Sequence, residues 1–146
     1  MNTLIDNIIT ILKAAIASGS ITAISAWKGI KDNDQLVDVL NYPYISVDDG
    51  GERVETINAQ EAQWRIYSVV FEFAVFKTDL EQALTDILNL SNEIKTVLEL
   101  QANRQYNGHV WGITIQPLSG SLNQGFLRGR MVTVEYRQLE DTYLEY

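Results

Sequence analysis

The stretch WRIYSVVFEFAVFK, residues 64–77, decides the fold of this chain. Its aromatic and β-branched residues are those of a strand. One face carries Tyr67, Val69, Phe71, Phe73 and Val75; the other carries Trp64, Ile66, Val70, Ala74 and Phe76, interrupted by Ser68 and Glu72. A strand with one wet face alternates apolar with polar residues, and this one does not. Both faces therefore need cover, and Glu72 needs a partner or water, because an unpaired buried carboxylate is costly.

The period changes directly after this strand. TDLE, 78–81, reads as a capping box in which Thr78 accepts from the amide of Glu81. The helix that follows presents Leu80, Leu84, Ile87, Ser91, Ile94 and Leu98 at helical spacing, widened by Ala83, Leu88, Leu90 and Val97, and runs to about residue 100. A first helix spans 3–17, with a wide apolar face of Leu4, Ile8, Ile11, Leu12 and Ala15, and SGS at 18–20 ends it. Residues 21–41 are compatible with a short strand and a capped helical turn. YPYISV, 42–47, is a strand introduced by a proline, and DDGGE, 48–52, reads as a tight turn leading into the long strand. HVWGITIQ, 109–116, is a further strand stopped by Pro117, residues 117–126 read as a mobile loop, and 128–138 form the last strand. The tail from 139 to 146 is acidic and expected to be exposed. Two helices on one face of a mainly antiparallel sheet of three to five strands make an α+β two-layer sandwich, a single domain over 1–146.

Composition narrows the function. A chain of 146 residues can bury roughly two-thirds of its extended surface. Its 19 Asp and Glu against 11 Lys and Arg give a net charge of −8, which opposes tight independent binding to nucleic acid or to an anionic membrane. With no cysteine there is no disulfide and no thiolate metal site. The N-terminal apolar run lacks a basic leader and is broken by Asp6, Asn7 and Lys13, so it reads as a helix of the domain and not as a signal or a span.

The sequence carries few residues suited to catalysis or metal binding. His109 is the one histidine and stands at a strand start. Asp32, Asp34 and Asp38 are spaced a little like a calcium loop, but Val37 replaces the required glycine and no glutamate closes the loop. Asp48, Asp49 and Glu52 read as a hairpin tip. No phosphate loop, dinucleotide fingerprint or nucleophile elbow is present, so no catalytic, metal or cofactor-binding residue is assigned and a non-enzymatic role is expected. Two helices cover one sheet face only, so the second face of the long strand is expected to meet another subunit. Trp64, Ile66, Val70 and Glu72, with Glu135 and the cations Arg128, Arg130 and Arg137 as companions, make up this expected interface or channel wall.

The order of these pieces has a familiar look. An N-terminal helix leads to NYPYISVDDGGERVE, then R-x-Y-x-V-x-F-x-F from Arg65 to Phe73, a helix capped from Thr78, a W-G-I-T-I strand, a glycine-rich loop and a terminal V-T-V-E-Y-R strand. Over residues 1–138 this resembles the tail terminator (tail completion) proteins of long-tailed bacteriophages. The resemblance implies a virion structural protein, assembled in the bacterial host cytoplasm and placed at the head-proximal end of the tail. Such proteins form hexameric rings that end tube polymerisation, dock the tail to the head and let DNA pass. It implies a homo-oligomer with tail-tube and neck or connector partners, no cofactor and no membrane. Asp48, Asp49, Glu52 and Arg53, and Leu118, Leu122 and Phe126, would then sit in loops reaching those partners. Related readings are a neck (head-completion) protein or a tail-tube subunit. Two rivals come from other classes. One is a dimeric α+β module binding an apolar ligand on Trp64, Tyr67, Phe71, Phe73 and Trp111; the other is an enzyme using Glu72 with Glu135.

Overall fold

A computed structural model describes residues 2–29, 43–56, 63–100, 109–122 and 125–140, with side chains described for 3–29, 43–56, 63–100 and 128–138. Helix α1 (Asn2–Ser18) is followed by strands β1 (Ser25–Lys28), β2 (Tyr44–Thr56) and β3 (Gln63–Lys77), helix α2 (Leu80–Glu99), and strands β4 (His109–Leu122) and β5 (Gly125–Glu140). The strands form one sheet in the order β1-β2-β3-β5-β4. β1 runs parallel to β2, and every other neighbouring pair is antiparallel. This is the expected α+β arrangement, with both helices packed on the sheet: α1 lies over β1 and β2, and α2 over β3 and β5.

The long strand is central, flanked by β5 along its whole length and by β2 from Gln63 to Ala74. Its inner face, Tyr67, Val69, Phe71, Phe73 and Val75, joins Ile45, Val47, Val132, Val134 and Tyr136 from its neighbours in one buried cluster with the helices. From α1 the cluster takes Leu4, Ile5, Ile8, Leu12 and Ala15, and from α2 Ala83, Ile87, Leu90, Ile94, Val97 and Leu98. Each fully buried side chain of this size contributes about 1.5–3 kcal/mol, so the layer holds mainly by burial. α1 ends where Gly19 takes a positive φ of 83°, a conformation that costs glycine nothing.

Several sequence expectations are corrected. Asp79, not Thr78, caps α2: its carboxylate accepts from the Glu81 amide at 3.0 Å. Leu80, Leu84 and Leu88 do not join the inner stripe of α2; they are 42%, 48% and 40% exposed, whereas Ala83, Leu90 and Val97 are buried as expected. DDGGE is not a turn. β2 runs through it, and the register slips between Asp49 and Gly51, where Gly51 has φ of 105°. Bulges and turns both recruit glycine at positive φ, which is why the two look alike in sequence. β4 does not stop at Pro117, which pairs in register with Arg130. β4 is the last strand in the sheet order, and an edge strand tolerates the missing amide. The expected loop at 117–126 is accordingly taken up largely by the ends of β4 and β5. The capped turn read within 21–41 and the acidic triplet Asp32, Asp34 and Asp38 fall mostly or wholly outside the described residues, as does most of the acidic tail.

Candidate functional site

The outer face of the sheet, opposite the helices, holds both carboxylates singled out above, and each has a specific partner. Ser46 of β2 is directly across from Glu72, and Tyr44 is its diagonal neighbour. The Tyr44 hydroxyl donates to Glu72 Oε1 at 2.6 Å, and the Ser46 hydroxyl donates to the Glu72 carbonyl at 3.4 Å. A bond of that length to a carboxylate is of the strong, charge-assisted kind. The Tyr44 ring stacks on Trp27 of β1, with centroids 4.9 Å apart and planes 14° from parallel. Tyr44, Ser46, Glu72 and Ala74 are all 3% exposed or less, so this end of the outer face is closed within one chain.

Glu135 is held at the other end of the same face. Arg53 Nη2 lies 2.7 Å from Glu135 Oε1, and Arg137 Nη2 lies 3.7 Å from Oε2. The hydrogen bond to Glu135 is the main reason the Arg53 guanidinium is pushed above its ordinary pKa. In register, Arg53 and Arg137 stand on either side of Ile66, which is fully buried. Aliphatic arginine stems beside an isoleucine, with their charged heads turned to one glutamate, cover an apolar residue without a further layer of protein.

These contacts correct part of the expected interface. Ile66, Glu72 and Glu135 are already buried in a single chain and offer no free surface. Trp64 and Val70 do remain half-exposed on the outer face. Arg128 and Arg130 are on the opposite face, in register with Val75 and Phe73 on the helix side. They do not reach the two carboxylates; Arg53, missed as a partner, and Arg137 do. The sequence signal for Arg53 was weak, since only the bulge-shifted register of β2 brings it into the Ile66 row.

The residues expected in contact loops are strand residues. Asp48, Asp49, Glu52 and Arg53 all lie in β2. The Asp49 amide donates to Asp48 Oδ1 at 2.8 Å, and the Gly51 amide donates to Asp49 Oδ1 at 2.7 Å, so both carboxylates serve the bulge. Leu118 and Leu122 lie in β4 and Phe126 in β5, in register with Gly129, Gly125 and Ser121. His109 begins β4 opposite Tyr136. Beyond the bulge, β2 is exposed from Asp49 to Thr56, and Val54 is 45% exposed there. Among the described residues this exposed half of β2 is the outer strand of a three-stranded extension, in which residues 63–68 of β3 also pair with residues 135–140 of β5, and it bears the ion pair Arg65–Glu52 at 3.6 Å.

The chemistry available is limited. Among the described residues no group of three or more His, Asp or Glu could hold a metal ion. Tyr67, Phe71 and Phe73, proposed above to line a ligand site, are packed in the core. In a cleft lined by Thr22, Pro43, Lys77, Asp86, Asn89 and Glu93 the charged groups are engaged: Lys77 pairs with Asp86 at 3.3 Å, and Glu93 accepts from the Thr22 amide at 2.8 Å. Among the described residues no helix is long and apolar enough to cross a membrane. No protein-family model and no curated protein matches this chain.

Proposed function

We propose that this protein is a non-enzymatic assembly subunit, and specifically a tail terminator that closes the head-proximal end of a long-tailed phage tail as a ring. The observation that carries this reading is the exposed half of β2, residues 49–56, which lies along β3 where β3 also pairs with β5. β2 and β3 have 13 and 15 residues, against a usual strand of about five or six. The part of β2 beyond the bulge is exposed throughout and adds little to the core. Such an excess of ordered, exposed strand has a ready use in reaching a neighbour. The sheet with both helices on one face agrees with the architecture that the resemblance implies, and the net charge of −8 suits a lumen that DNA must traverse without sticking. Half-exposed Trp64 and Val70 offer apolar contact area on the outer face.

The test is to add the purified chain to tail tubes that lack a terminator and to image them by negative stain. A ring at one end of the tube, with tube length fixed thereafter, is the expected result. Recruitment to head connectors alone would replace the terminator with a neck protein, and recruitment to neither would refute the phage role.

A further inference from the structure

We infer that the outer flank of α2, together with Arg128 and Arg130, is a docking strip for residues 141–146 of a neighbouring copy. The inference rests on the self-association proposed above, but not on any role in a phage tail. Leu80, Leu84 and Leu88 recur every four residues along α2 and are 42%, 48% and 40% exposed. They therefore form one apolar ridge. Val97, on the other flank of the helix, lines the groove against α1, so the ridge is turned away from α1 and toward the β5 and β4 side. Neither helix packs substantially on β4 among the described residues.

The cations come from β5. α2 starts shortly after β3 ends and runs back over β3 and β5. At about 1.5 Å of rise per helical residue and about 3.3 Å per strand residue, Leu84 is level with Val75 and Arg128, and Leu88 with Phe73 and Arg130. Both arginines are half-exposed on this face, and neither has an ion-pair partner among the described residues. On a chain of net charge −8, two arginines with no ion-pair partner among the described residues, beside three exposed leucines, are an unusual local surface. They suit an acidic segment interleaved with large apolar side chains.

DTYLEY, 141–146, has that composition: Asp141 and Glu145 alternate with Tyr143, Leu144 and Tyr146, and no basic residue intervenes. It cannot serve its own chain. Arg130 is ten residues before the end of β5 at Glu140, which is about 33 Å along a strand, and six residues span about 20 Å at most. The contact must therefore pass from the end of one copy to the α2 flank of the next. Contacts between two different patches are heterologous, and they close into rings when the rotation allows.

The chain has no cysteine, so single thiols can be placed at will. Tagged Leu84→Cys protein is mixed with untagged Tyr143→Cys protein and treated with a short bis-maleimide. The control pair replaces Leu84→Cys with Thr10→Cys, an exposed site on α1. We expect the mixed Leu84–Tyr143 product to form at least about tenfold faster than the control, because docking places the thiols at millimolar effective concentration. The gain should vanish when Arg128→Glu and Arg130→Glu are added to the tagged chain. A rate equal to the control overturns the inference, as does a gain that survives both charge reversals. Preferential linkage of Leu84→Cys to itself also overturns it, in favour of a symmetric ridge-to-ridge dimer. None of these outcomes depends on whether tail tubes recruit the protein.

Discussion

Removing the Tyr44 hydroxyl should be the most informative single-atom change in the molecule. In Tyr44→Phe the ring stays on Trp27, but Glu72 loses the donor held 2.6 Å from Oε1 while remaining 3% exposed. A hydrogen bond to a charged group contributes about 1.5–3 kcal/mol. At about 3 °C per kcal/mol for a chain of this size, the melting temperature should fall by about 5–9 °C. Urea unfolding followed by circular dichroism should show a lower midpoint with an unchanged slope, since the surface exposed on unfolding is the same. Glu72→Gln provides the second corner of a double-mutant cycle. In that background the tyrosine donates to a neutral acceptor, and its removal should cost only about 1 kcal/mol. If Tyr44→Phe melts within about 1 °C of the parent, or loses the same amount in both backgrounds, the hydroxyl does not hold the carboxylate and the reasoning fails.

Three further outcomes can be checked on the same instruments. Asp79→Ala should cost about 1 kcal/mol through loss of the α2 cap, whereas Thr78→Ala should stay within about 0.5 kcal/mol of the parent; equal losses would return the cap to Thr78. Gly50→Ala should destabilise by about 1–3 kcal/mol, because a Cβ there would meet the Ser68 carbonyl oxygen at 3.0 Å and Val70 Cγ2 at 3.1 Å. Burial holds the Tyr136 phenol protonated above its ordinary pKa of 10. It therefore has no effect on stability below that pH. Above about pH 10 the unfolded chain loses the proton first, and stability falls by up to about 1.4 kcal/mol per pH unit. Tyr136→Phe should flatten that alkaline slope in urea melts at pH 9.5–11.5, a range flanking the ordinary pKa of about 10.

What could be read from the sequence was what depends on local period. The two helices and the long strand follow from spacing alone; that residues 64–77 stand at the centre of the sheet is visible only in the structure. What could not be read depends on which strand lies beside which. Glu72 looked like a residue awaiting a subunit or a channel, because its partner is 28 residues away on a strand whose register the sequence does not display. Glu135 is matched to Arg53 only after the bulge at Gly51 has shifted β2, and the residues that make the bulge are those that elsewhere make a turn. Arg128 and Arg130 were placed with the carboxylates from charge, whereas alternation along β5 puts them on the helix side. Leu80 and Leu84 show the converse limit: a ridge on the rim of a buried stripe has the same period as the stripe itself.

The proposed ring is tested most directly by native mass spectrometry of the purified protein, with negative-stain images of the same fraction. The account predicts a closed species of about six subunits with a central hole, held by heterologous contacts. That species should be lost when Leu84→Asp is combined with Arg128→Glu and Arg130→Glu. A protein that stays monomeric both alone and in the presence of tail tubes would contradict it.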